Sequence, residues 1–144
     1  MAISVCEVLI RESPLDLPAQ KNNPAAGAIV DFWGVVRALE DGHEISGIEY
    51  EAHLRMAEHQ MRVLAETALQ NFRATRIVIH HRVGFVAAGE ASVVVRVESG
   101  HRFAAFSASQ WIMEELKRTV PIWKRPIFKE AKEETTADSS SLRK

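Results

Sequence analysis

Hydrophobic positions recur along this chain with two different periods, and the switches between them divide it into elements. Residues 2–10 alternate in part and are β-prone, which predicts a first strand. Ser13-Pro14 then opens a segment with Leu15 and Leu17, expected to form a short helical turn closed by Pro18. Lys21-Asn22-Asn23-Pro24 is a loop by composition. Residues 25–37 are apolar and rich in β-branched and aromatic side chains, so they read as a central strand, with Gly34 marking a bulge or a close backbone approach. The polar loop Glu40-Asp41-Gly42-His43-Glu44 leads to a short strand over 45–51. From 52 to 72 the period turns helical: Ala57, Met61, Leu64, Ala68 and Phe72 share one face, and Arg55, Glu58, Arg62 and Glu66 cover the other. Two more strands follow at 76–83 and 91–98, the second with Val93, Val95 and Val97 on one side. Gly84 and Gly89 bracket their connection, as an antiparallel pair would have it.

A second helix covers about 101–120. Ala105, Ala108, Ile112 and Leu116 fall at i, i+3, i+7 and i+11, which makes one apolar stripe. Ser99 or Gly100 supplies its start, and Val120-Pro121 ends it, because a residue before proline is pushed out of the α region. Residues 121–128 form one more short extended piece. From Lys129 onward the composition is polar with almost no core formers. The chain therefore divides into one domain over 1–128 and a polar C-terminal tail over 129–144. Strands mixed with two long helices, without strict β–α alternation, indicate an α+β fold.

Composition narrows the chemistry. At 144 residues with 47% hydrophobic and 26% charged side chains, the chain has the make-up of a single globular domain. A net charge of -1 argues against a general nucleic-acid binder, and no long apolar span suggests a membrane helix, so the cytoplasm is the expected address. Cys6 is the only cysteine, in an apolar strand, and reads as a packed core thiol. Six histidines raise the question of a metal. His80 and His81 are adjacent on a strand and so point to opposite faces; His53 and His59 miss the i, i+4 spacing, and no His-Glu-x-x-His frame exists. No phosphate-binding glycine loop or Gly-x-Ser-x-Gly elbow is present. No resident metal or cofactor is expected.

What remains is lysine and arginine chemistry. His101 and Arg102 occupy the first turn of the second helix, where the positive end of the macrodipole disfavours cations. Either both point to water, or an anion docks there on the helix-start amides and the guanidinium. Lys117 suits a helix C-terminus, and Lys124 after Trp123 has the character of a snorkelling surface side chain. Taken together, and with Arg118 and Arg125 nearby, they suggest an acidic ligand. His101 and Lys117 are sixteen positions apart, so a straight helix holds them roughly 24 Å from each other. If both serve one site, two protomers must share it, which predicts a homodimer. Arg37, at a strand end, either faces solvent or reaches into a pocket.

These residues resemble a known family. Val120-Pro121-Ile122-Trp123-Lys124-Arg125 after a Met-Glu-Glu-Leu-Lys helix, itself preceded by Ser-Gly-His-Arg, is similar to the large, catalytic subunit of molybdopterin synthase. Phe32-Trp33-Gly34-Val35-Val36-Arg37, Glu49-Tyr50-Glu51-Ala52 with Met56-Ala57, and His81-Arg82-Val83-Gly84 leading to Gly89-Glu90 match in order and spacing, over roughly residues 25–125. The resemblance implies an α/β hammerhead-type fold with a mixed or antiparallel sheet, and a homodimer at the core of a heterotetramer. A small ubiquitin-like carrier ending in Gly-Gly would dock at each end, its thiocarboxylate delivering sulfur to cyclic pyranopterin monophosphate to make the molybdopterin dithiolene. Carried over by position, Lys117 and Lys124 match the catalytic lysines, without a division of steps between them. Val35, Val36, Arg37, His101, Arg102, Lys117, Lys124, Arg125 and Pro126 match the substrate-binding positions.

One departure stands out. The family usually has an acidic residue where this chain has Pro126, and a later tryptophan is replaced by the charge run that starts at Lys129. The alternative to a sulfurtransferase is accordingly a dimeric anion- or carrier-binding module of the same fold without the chemistry. A small RNA-binding α+β domain would need a basic sheet face with exposed aromatics. A chain of net charge -1 whose candidate binding cations sit at helix ends does not supply one.

Overall fold

The computed structural model describes residues 5–20 and 22–129. Four strands make the larger sheet: β1 (Cys6–Arg11), β2 (Ala28–Val35), β5 (Ala74–Arg82) and β7 (Ala91–Ser99), in the order β1-β5-β7-β2. The β1–β5 pair is parallel and the others are antiparallel. A smaller antiparallel sheet is built on the long β4 (His43–Ala52), which pairs with β3 (Leu39–Glu40), β6 (Gly84–Ala87) and β8 (Ile122–Phe128). Two 18-residue helices complete the fold, α1 (Leu54–Asn71) and α2 (Arg102–Thr119).

Both helices pack on one face of the larger sheet. Ala57, Met61, Ala65 and Ala68 of α1 and Ala105, Ala108 and Ile112 of α2 are fully enclosed against Ile77, Ile79, Val95 and Val97. The apolar stripes of both helices thus face the core as their spacing predicts, and Cys6 is buried beneath them. A second, smaller core of Val36, Ile45, Ile48 and Val86 holds the β4 sheet together.

The opposite face of the larger sheet is tied to the segment between β1 and β2. Arg96 grips Asp31 through two nitrogens at 2.7 and 2.8 Å and donates to the Pro18 carbonyl at 2.9 Å. Arg82 reaches Glu90 at 2.7 Å and the Glu12 carbonyl at 3.4 Å, and Glu98 accepts from Asn23 at 2.9 Å. These pairs let charged side chains stay buried on a sheet face.

Several expectations need correction. Residues 12–20 contain no helical turn, because Pro14 and Pro18 remove two N–H donors and push the residues before them out of the α region. Strand β2 is an edge strand, paired only with β7, and Phe32, Trp33 and Val35 on it are 40, 40 and 52% exposed. Its apolar character led to a central placement that β5 and β7 take instead. The β5–β7 connection is not a plain hairpin, since its middle forms β6 and joins the second sheet. Helix α2 is capped at His101, with no side-chain cap bond; Ser99 Oγ accepts from the His101 N–H at 3.4 Å.

The expectation at Gly34 holds. Gly34 sits at a register shift in the β2–β7 ladder, where an added Cβ would lie 2.6 Å from Val93 Cγ1. The loop expected over 40–44 is shorter than that: Asp41 and Gly42, with positive φ of 53° and 80°, make a two-residue hairpin between β3 and β4, and β4 starts at His43 and runs to Ala52. Residues 2–4 of the expected first strand, Lys21 of the expected loop and 130–144 of the expected tail lie outside the described residues.

Candidate active site

Helix α2 ends where Val120 turns extended, with φ -86° and ψ 128°, and Pro121 follows. The chain reverses there and enters β8, which runs antiparallel to β4 with Lys124 opposite Tyr50. That reversal brings Lys124 back beside Lys117 on the last turn of α2. Both line a cavity of about 260 Å³, together with Tyr50, His81, Ser92 and Met113.

The cavity is positively charged and has no acidic side chain in its lining. Neither lysine makes an ion pair or side-chain hydrogen bond among the described residues. By contrast Arg76, Arg82, Arg96 and Arg118 each hold a carboxylate. Cations left unpaired around a concave site are disposed to receive an anion.

Its polar wall is ordered. The Tyr50 hydroxyl donates to Ser92 Oγ at 3.2 Å, and Ser92 Oγ donates to the Gly34 carbonyl at 3.5 Å. The His81 ring meets the Tyr50 ring edge-on at 5.3 Å. His81 Nδ1 donates to the Arg82 carbonyl at 2.8 Å, and burial pushes the imidazole below its ordinary value of 6.5, so it is neutral. Its neighbour His80 points to the other face and donates Nε2–H to Glu7 at 2.8 Å. No cluster of potential metal ligands exists among the described residues.

The remaining sequence candidates stand elsewhere. His101 and Arg102 line a separate cavity of about 520 Å³ at the other end of α2, with Phe103, Phe106, Ser107 and Gln110. A third hollow of about 430 Å³, between α2 and β2, shares Phe106 and Gln110 with that cavity and Met113 with the lysine cavity. Arg37 is exposed, follows β2 and lines none of the three. Val35 is exposed on the sheet edge, whereas Val36 is 3% exposed in the smaller core, its N–H and carbonyl bonded to Glu90 and Gly89. Arg125 alternates to the opposite side of β8 from Lys124. Pro126 is half-buried opposite Ile48 on β8, an edge strand where a missing N–H is tolerated.

Sequence reasoning put no role on Tyr50, His81, Ser92 or Met113. The strand alternation that separates His80 from His81 was the available signal, since it sends His81 to the helix-covered face. Which element would close over it depends on tertiary packing.

The chain is similar to known proteins over most of its length. The family model described as MoaE protein matches residues 10–119. A molybdopterin synthase catalytic subunit from Thermoplasma volcanium is 42% identical over 81% of this chain and 85% of its own length. The Homo sapiens protein of the same name is 38% identical over 76% of this chain, which spans only 58% of that longer relative. Among solved structures, molybdopterin synthase from Staphylococcus aureus has a TM-score of 0.76 at 30% identity, covering 85% of this chain and 91% of its own. A complex of subunits 1 and 2 of molybdopterin-converting factor from Helicobacter pylori shares the fold, with a TM-score of 0.61 at 19% identity over 91% of this chain and 92% of its own. A lysine-lined cavity on this α+β frame and matches of this extent lead to one conclusion: the chain belongs to the MoaE family of molybdopterin synthase catalytic subunits.

Proposed function

We propose that this chain transfers sulfur from the C-terminal thiocarboxylate of a small ubiquitin-like carrier ending in Gly-Gly to cyclic pyranopterin monophosphate, forming the molybdopterin dithiolene over two rounds. The observation that carries this reading is the convergence of Lys117 and Lys124, from separate elements, on one cavity with no acidic lining. Sulfur and acyl transfer builds negative charge on a carbonyl oxygen and on sulfur. Ammonium groups lining the cavity stabilise that charge where it develops, more in the transition state than in the ground state. Both lysines are exposed yet line the same cavity, which favours chemistry over a binding module, although Arg37 of the same chain does not line it. Pro126 stands outside the cavity, so the departure it represents leaves this arrangement intact.

Completing the site takes a second copy. Within one chain the cavity of about 260 Å³ falls below the roughly 300–1,000 Å³ usual for small-molecule sites. His101 and Arg102 are a helix length away, yet the intervening α2–β2 side is a largely apolar hollow lined by Val30, Phe32, Phe106 and Met113, with Phe106 61% exposed and Phe103, which shares the next cavity with it, 80%. Such a contiguous apolar surface suits association. A two-fold axis across α2 places the partner's His101 and Arg102 beside Lys117, where they bind the substrate phosphate, with Arg37 and Val35 at the rim. Carriers dock at the outer ends, past Arg125 and the exposed Trp123 of β8, to give a heterotetramer. No helix among the described residues is long and apolar enough to cross a membrane.

The test is reconstitution with a thiocarboxylated carrier and cyclic pyranopterin monophosphate. Dithiolene product from the wild type and none from Lys117→Ala supports the reading; near-wild-type turnover by Lys117→Ala refutes it.

A further inference from the structure

His81 lines the lysine cavity, yet the role proposed for Lys117 and Lys124 makes no use of it. Its ring is held on two sides. A carbonyl only accepts, so the 2.8 Å contact with the Arg82 oxygen fixes the proton on Nδ1 and leaves the lone pair on Nε2. The edge-on contact with Tyr50 fixes the ring plane, and Tyr50 is itself anchored through Ser92 to the β2 backbone.

Where Nε2 points follows by elimination. It makes no hydrogen bond among the described residues. The one unpaired side-chain nitrogen or oxygen sealed from solvent there is His80 Nδ1, so His81 Nε2 keeps contact with open space. The residue is only 4% exposed, and the space its ring lines is the lysine cavity. The polar groups around it are Tyr50 from β4, Ser92 from β7, Lys117 from α2 and Lys124 from β8. Among them, His81 is the group whose tautomer, fixed by the carbonyl contact, leaves a nitrogen lone pair free.

We propose that His81 Nε2 is the general base that releases the sulfurated pterin from the carrier, by activating water between the Lys117 and Lys124 ammonium groups. The inference rests on the sulfur-transfer reading above. The thiocarboxylate sulfur first displaces an oxygen substituent from the pterin side-chain carbon, the C–O bond breaking with its electron pair on the departing oxygen. The carrier's terminal carbonyl is then a thioester. Water attacks that carbonyl carbon and its proton passes to Nε2. A C–O bond forms, the C–S bond breaks, and its electron pair leaves on sulfur. The products are a pterin thiolate and a carrier carboxylic acid, which gives up its own proton to solvent to become the carboxylate. The imidazolium returns its proton to solvent as well. No oxidant or reductant is consumed. The lysines offset charge on the oxygen and the sulfur, and His81 moves the proton.

Single-turnover mixing with thiocarboxylated carrier and cyclic pyranopterin monophosphate, quenched and read by intact mass, separates the two halves. His81→Gln is expected to form the carrier–pterin adduct at the wild-type rate and to release it at least about 100-fold more slowly. Imidazole added to His81→Ala restores release in proportion to its free base. In the wild type, release alone slows in heavy water and at acid pH, a readout that holds even if both variants fail to fold. Release by His81→Gln at the wild-type rate, equal loss of both steps, or a wild-type release insensitive to heavy water overturns the proposal. A wild type that forms neither adduct nor product instead defeats the sulfur-transfer reading itself.

Discussion

Lys117 and Lys124 line one cavity although a helix end, a proline and a strand start lie between them in the chain. Both are exposed and unpaired, so removing either costs the fold little, within about 0.5 kcal/mol. Lys117→Ala and Lys124→Ala are each expected to lower turnover by about 100-fold or more, the scale of losing one transition-state charge stabiliser. Thermal melts alongside turnover assays check this. A large stability loss in either variant would mean that the lysine belongs to the scaffold.

The backbone approach at Gly34 leaves no room for a methyl group. A Cβ there would meet Val93 Cγ1 at 2.6 Å, and Val93 is itself packed in the core between the sheet and the helices. Gly34→Ala should destabilise the domain by about 1–3 kcal/mol, as overpacking does. Denaturant titration would show a lowered midpoint with an unchanged slope.

Ile112 is fully enclosed between α2 and the sheet. Ile112→Ala should cost about 2–5 kcal/mol through lost burial and the cavity left behind. Phe106→Ala, on the exposed side of the same helix, should leave the isolated chain's stability nearly unchanged and weaken self-association instead. Urea unfolding of Ile112→Ala and sedimentation of Phe106→Ala distinguish the two faces.

Burial holds the His81 imidazole below 6.5, so the unfolded chain takes up that proton first as the pH falls. The sign follows directly: His81 has no effect on stability above about pH 6.5 and takes stability away as the pH drops from there towards its lowered native value. Unfolding midpoints of the wild type between about pH 8 and pH 5 should therefore fall more steeply at the acid end than those of His81→Gln. Parallel curves would show that the group titrates normally.

The elements were legible because their periods are clean. Ala105, Ala108, Ile112 and Leu116 face the core as the stripe predicts, and Val93, Val95 and Val97 do so on β7. Edge or centre was not legible for β2, since an apolar strand reads the same whether its second side meets another strand or a partner chain. Segment 84–87 escaped notice because four residues between two glycines gain strand geometry only from pairing with β4. At the site, Lys117 and Lys124 carried a charge pattern and a family resemblance. Tyr50 and His81 lie on strands of different sheets, and only the packing of α2 and β8 brings them to the same cavity.

The most direct test of a site shared between two copies is complementation. Lys117→Ala and Arg102→Ala chains are each inactive alone on this account, because each homodimer lacks one half of both sites. Mixed dimers regain one intact site in two, so random mixing should restore about one quarter of wild-type turnover. Mixtures that stay inactive, although the two chains demonstrably exchange partners, would contradict a site built from both copies.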